Sequence, residues 1–231
     1  MTTQTDQYSI EEAAMGVTGE QLLQIFAEYN AKIWPMQIAA YLLGIIAVIL
    51  AFKFSIRSIC IVTSILAFLW LWVGLVFWLP YGIQGFVPGI IFSVIFILQG
   101  ALFVWQAFKP HLRFGTYSPG FAWIGMIFIV YAMLGYPFVG YLIGHTYPRT
   151  PPFGLTPCPL IIFTLGLFML TRKKIPKLLL IIPFFYSLSG IIWIAQGIYE
   201  DIGLVAAGLI CVPLLLWRDH KLLKKSHLSE A

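Results

Sequence analysis

Between Gly144 and Pro159 the chain reads Gly-His-Thr-Tyr-Pro-Arg-Thr-Pro-Pro-Phe-Gly-Leu-Thr-Pro-Cys-Pro, and here residue types able to bind or react lie closest together. Cys158 stands between two prolines, where a helix can begin. Free amides and the positive end of a helix dipole favour a thiolate at such a place. His145 is then a second ligand for a soft metal. Two ligands do not close a metal site, so the same cysteine also reads as a small buried side chain. Tyr147 and Arg149 belong to the same segment, and Glu200 and Asp201 follow a later apolar run. Together with His145 and Glu28 they either pair across loops or form the polar rim of a vestibule. Gln99 sits in the middle of an apolar run, where an amide needs an interhelical partner or a wet cavity. It is either helix glue or a contact for a solute.

The five prolines of this segment keep most of it extended. A helix can start only near Pro159, a residue suited to a first helical turn. From there to Thr171 a helix reaches roughly 20 Å at 1.5 Å per residue, against a hydrocarbon core of ~30 Å. The entry strand therefore dips into the bilayer or folds back into the protein. Non-helical backbone at that depth is tolerated only where it is buried or lines a cavity, and broken helices of this kind mark substrate sites in transporters. The alternative is a rigid external plug.

Composition sets what surrounds the segment. Of 231 residues, 60% are hydrophobic and 10% charged. Too few charges remain to cover a surface in water, which excludes soluble globular, disordered and nucleic-acid-binding classes and leaves a polytopic membrane protein. Apolar stretches run from Trp34 to Phe52, Ile59 to Leu79, Pro88 to Phe108, Phe121 to Tyr141, Phe153 to Leu170, Leu178 to Gln196 and Ile202 to Trp217. In lipid these must be helices. The expectation is an all-α bundle of seven transmembrane helices whose fifth is short or broken. Twelve of the 14 Lys and Arg residues fall in alternate loops and the tail. That places the amino terminus outside and the carboxyl terminus in the cytoplasm, and identifies the net charge of +5 as topology signal. Trp34, Trp78, Trp105, Trp193 and Trp217 fall near span ends, as an interfacial belt requires.

Residues 1–33 form an outer arm, 34–217 the membrane domain and 218–231 a basic tail. Within the arm, residues 1–17 are expected to lack fixed structure. From Thr18 to Ile33 the apolar spacing predicts an amphipathic helix, capped by Thr18 with Gln21 three residues on. It either lies on the membrane interface or packs across the mouth of the bundle. Gly140 with Gly144, and Gly85 with Gly89, have the four-residue spacing of close helix packing. The drawn spans contain no Asp, Glu, Lys, Arg or His. A retinal lysine, a metalloprotease motif and a serine–histidine pair are thus all missing from them, so no enzyme chemistry and no cofactor is expected. The three cysteines, Cys60, Cys158 and Cys211, make no paired framework.

The stretch from Tyr29 through Lys32-Ile33-Trp34-Pro35-Met36 to Gln37, with Gly-His-x-Tyr-Pro at 144–148 and Pro-Cys-Pro at 157–159, resembles a bacterial family of multi-pass membrane proteins known as a domain of unknown function, whose members are sometimes called permeases. The resemblance runs from about Glu20 to Trp217 and implies a bacterial inner-membrane location. The expected role is a permease or facilitator for a small solute, with the lipid bilayer as its surroundings. The alternative is a non-transporting subunit or a ligand or metal sensor that acts through a membrane-protein partner or as a homo-oligomer.

Overall fold

A computed structural model describes residues 18–230 apart from Phe54 and Gly85, with side chains as far as Lys224. The segment 1–17, expected to lack fixed structure, and the Gly85–Gly89 pair lie outside the described residues or depend on one that does. Among the described residues the fold is all helical, and the one β-bridge joins Phe114 and Thr171. The helices are α1 Gly19–Ile33, α2 Met36–Ala51, α3 Ile56–Ile83, α4 Val87–Phe108, α5 Pro119–Leu142, α6 Pro157–Met169, α7 Leu178–Ala195 and α8 Ile202–Glu230. A single 3-10 turn, Tyr199–Asp201, leads into α8.

Among the described residues five helices are long and apolar enough to cross a membrane: α3, α4, α5, α7 and the span Tyr199–Lys224 of α8. A sixth is counted if α1 and α2, bent by 89° at their junction, are taken as one span. The exposed faces of α2, α4 and α5 are apolar, as at Leu42, Ile45 and Ile49, Ile91, Val94 and Leu98, and Trp123 and Ile127. Such broad apolar surface is consistent with a membrane protein and not with solvation by water. Trp34, Trp105 and Trp217 are exposed near helix ends, but Trp78 is buried against Phe77 and Phe92 and is core, not belt.

The short α6 is the centre of the molecule. Every residue from 151 to 171 is buried. A helix that is apolar all round has no face to give to water, and α3, α5, α7 and α8 all pack on this one. It starts at Pro157, two residues before the expected Pro159, because both prolines fit the first turn, where an N–H is not used. At 13 residues it cannot match the length of its neighbours. The chain ahead of it, 151–156, makes up the difference as buried extended and turn backbone. Gly154 turns there at φ +72°, a conformation that glycine adopts without strain.

Helix α1 packs against the bundle. Its capping box is made, with Gln21 N–H on the Thr18 hydroxyl and the Gln21 side chain on the Thr18 N–H. Its apolar face packs on protein. Phe26 stacks on Phe77 at 5.8 Å, and the Tyr29 hydroxyl donates to the Leu155 carbonyl at 2.9 Å while accepting from Trp72 at 2.8 Å. Burial pushes the Tyr29 phenol above its usual range, which keeps it a donor.

Prolines inside helices leave carbonyls without donors, and side chains of neighbouring helices fill two of these. Pro183 removes the helical partner of the Leu179 carbonyl, and Gln99 of α4 donates to it at 3.3 Å. Pro137 has no N–H for Met133, whose carbonyl accepts from Tyr41 of α2 at 2.7 Å. At the opposite end from the proline loop, the guanidinium of Arg218 is fully buried and uses all five N–H groups: on Asp219, on the hydroxyl and carbonyl of Thr171 and on the Lys173 carbonyl. Asp219 in turn accepts from the Ile175 N–H at 2.9 Å. Helix α8 therefore continues past Trp217 into what reads as a tail, and its residues 218 and 219 are part of the packed interior.

Candidate functional site

The two carboxylates at 200 and 201 lie just outside the apolar stretches, yet neither reaches solvent: Glu200 is 0% and Asp201 1% exposed. Their position follows from the tight 3-10 turn, which folds both back under the proline loop. His145 Nδ1 donates to Glu200 Oε1 at 2.8 Å. The Tyr136 hydroxyl donates to Asp201 Oδ1 at 2.6 Å, and the Cys158 thiol faces Asp201 Oδ2 at 3.5 Å. Tyr131 donates to the Glu200 carbonyl at 2.7 Å. Thus four sequence-derived candidates, His145, Cys158, Glu200 and Asp201, meet in one cluster.

The local fold of α5 makes this possible. Tyr131 and Tyr136 are five residues apart and would point about 140° apart on a regular α-helix. Residues Tyr131–Gly135 form a π-helical turn in which the Tyr136 N–H bonds to the Tyr131 carbonyl, so both tyrosines face the acidic turn. Their rings meet edge to face at 6.3 Å. Glycine lets the carboxylate approach: a Cβ on Gly140 would lie 2.7 Å from Glu200 Oε1. The ring of Tyr131 lies directly against the backbone at Gly203.

Cys158 is buried, as one of its two readings has it. The thiolate expected at Cys158 is not what the geometry holds, because its sulfur is placed as a donor to a carboxylate. Within the cluster Cys158 and His145 bond to two different acids and not to one shared point, and among the described residues no three His, Cys, Asp or Glu side chains are grouped to hold a metal ion. What the cluster does hold is two buried carboxyl groups with one imidazole and, among the described residues, no hydrogen-bonded Lys or Arg. Glu200 Oε2 has no protein partner. A site of this kind can take a proton or a small cation, since buried charge must be balanced.

The remaining candidates lie elsewhere. Arg149 reaches Glu20 of α1 at 2.5 Å and does not join the acids, and Glu28 pairs with Lys32 at 4.0 Å. Gln99 is fully buried and bonds to α7, apart from the cluster; its Oε1 lacks a partner. Tyr147 lines a groove of about 300 Å³ between α1, α2, α5 and the proline loop. The groove walls include Asn30, Gln37, Tyr41, Tyr141 and Phe153. Asn30 donates to the carbonyls of Pro148 and Thr150 at 2.6 and 2.8 Å and so staples the loop. Gln37 bonds to the Asn30 carbonyl and side chain, leaving its own buried Oε1 without a partner. One strip of α5 separates groove from cluster: Pro137 and Tyr141 face the groove, Tyr136 and Gly140 the acids.

Sequence reasoning missed Tyr131, Tyr136, Asn30, Gln37 and Tyr41 as site residues. A tyrosine pair at a spacing foreign to an α-helix, one residue ahead of Pro137, was the available signal for the first two. No curated protein and no solved structure matches the chain. A family model described as a family of unknown function (DUF6064) matches residues 19–225, nearly the whole of the sequence in which groove and cluster lie, and the chain belongs to that family.

Proposed function

We propose that the chain is a multi-pass inner-membrane permease or facilitator for a small solute, with α2 to α8 as seven spans, the amino terminus outside and the carboxyl terminus in the cytoplasm. The basic loops at 52–57, 109–113 and 172–177 support that orientation. One observation carries the functional reading: irregular backbone, 151–156, is buried in the centre of an apolar bundle and forms the wall of an open groove. Irregular backbone at membrane depth is tolerated where it is buried in protein or lines a cavity, and in transporters it marks substrate sites. The groove offers aromatic faces to a small neutral or weakly polar solute, with the buried Gln37 amide in its wall, and the carboxylate cluster lies one helix strip behind it.

A second reading has one observation in its favour. The groove ends at Phe153, whose ring meets Phe163 of α6 edge to face at 5.0 Å, and α6 fills the space beyond. A membrane sensor or subunit that binds a solute there and acts through a partner uses the same groove without passing the solute on. Purified protein in proteoliposomes separates the two. Uptake of at least one member of a broad panel of neutral solutes, with binding visible in tryptophan fluorescence, supports the permease. Binding with no uptake supports the sensor, and neither binding nor uptake removes both.

A further inference from the structure

A second groove lies at the end of the molecule that carries the basic loops. Its inner part, about 360 Å³ between α4 and α7, is lined by Leu102, Trp105 and Leu179 and is apolar. Its mouth, about 550 Å³, is lined by Arg172, Lys173 and Lys174. The two parts adjoin, with His111 and Pro176 in the walls of both. Among the described residues no Asp or Glu lines either part. Lys109 adds a further cation at the rim, 4.8 Å above the Trp105 ring.

The mouth is held in place by the interior. Arg218 grips the carbonyls of Thr171 and Lys173, and Asp219 takes the Ile175 N–H. With its backbone anchored on both sides, the loop presents residues 172–174 outward as an exposed row of cations. Like charges fixed side by side repel, and an anion placed among them meets a site already organised for it. Asp219, the acid that holds the loop backbone at Ile175, is itself engaged with Arg218.

We propose that this groove binds one anionic phospholipid, its acyl chain along Leu102, Trp105 and Leu179 and its phosphate against Lys173 and Lys174. Charge selects the headgroup and the apolar extension selects a lipid over a free phosphate. The site is separate from the solute groove and does not depend on the permease reading.

The test is native mass spectrometry of the full chain released from bilayers containing equal phosphatidylglycerol and phosphatidylcholine. One phosphatidylglycerol is retained per chain, and excess glycerol phosphate does not displace it. Lys173→Gln with Lys174→Gln weakens retention by at least about tenfold, and Lys173→Arg with Lys174→Arg preserves it. Leu102→Trp, which fills the apolar part, also releases the lipid. Equal retention of the two lipids, retention unchanged in the double Gln variant, or displacement by glycerol phosphate overturns the proposal; the last identifies a phosphate site instead.

Discussion

Gln99 donates to the carbonyl of Leu179, the acceptor that Pro183 leaves without its helical donor. An apolar bundle cannot leave such a carbonyl to lipid, so the proline in α7 and the amide in α4 are two parts of one solution. Gln99→Leu is expected to destabilise the protein by about 1–3 kcal/mol, the cost of an unsatisfied buried group. Adding Pro183→Ala restores an N–H for Leu179 and recovers part of that loss. Unfolding in detergent, run as a double-mutant cycle, reads the coupling; strictly additive effects contradict the pairing.

Arg218 is a buried cation that fills all five of its donors within one small region. Lysine has a point charge and no fork. Arg218→Lys is therefore expected to lose about 3–5 kcal/mol, in the range found on breaking buried ion pairs, and to raise proteolysis between residues 171 and 177. A melting temperature equal to the wild type argues against the clamp.

Gly140 gives Glu200 the room to reach His145. Gly140→Ala places a methyl at the carboxylate oxygen, so the pair must separate. Reduced solute uptake with the helical content retained is the expected outcome, measured by flux and far-ultraviolet circular dichroism. Full uptake in this variant detaches the cluster from function.

Cys158 is buried and faces Asp201, whereas Cys60 is partly exposed. A thiol reagent applied to folded protein should modify Cys60 first and reach Cys158 only on unfolding. Cys158→Ser should leave bound metal unchanged. Rapid labelling of Cys158 in the native state revives the reactive thiolate.

The legible part of this fold was what lipid dictates everywhere: helices, their approximate ends, the charge-sorted loops and the short proline-led element. Composition and Pro spacing carry that information locally. What stayed hidden depends on through-space packing. Glu200 and Asp201 look like loop residues because burial by the 144–156 segment is not written in their neighbours. The π-turn that aligns Tyr131 with Tyr136 leaves only a five-residue spacing behind. Arg218 looks like one more topology cation until Thr171 and Lys173 are seen around it. Membership of the candidate site was half visible: His145, Cys158, Glu200 and Asp201 converge, while Arg149, Tyr147 and Gln99 serve three other places.

If the solute uses the groove beside residues 151–156, a cysteine placed in the groove wall must report it. Thr146→Cys lies on that wall. Once the panel has identified a solute, its uptake should fall to background when this cysteine is modified from outside by a membrane-impermeant reagent, and the solute itself should slow the modification. Complete modification with undiminished uptake would contradict the account.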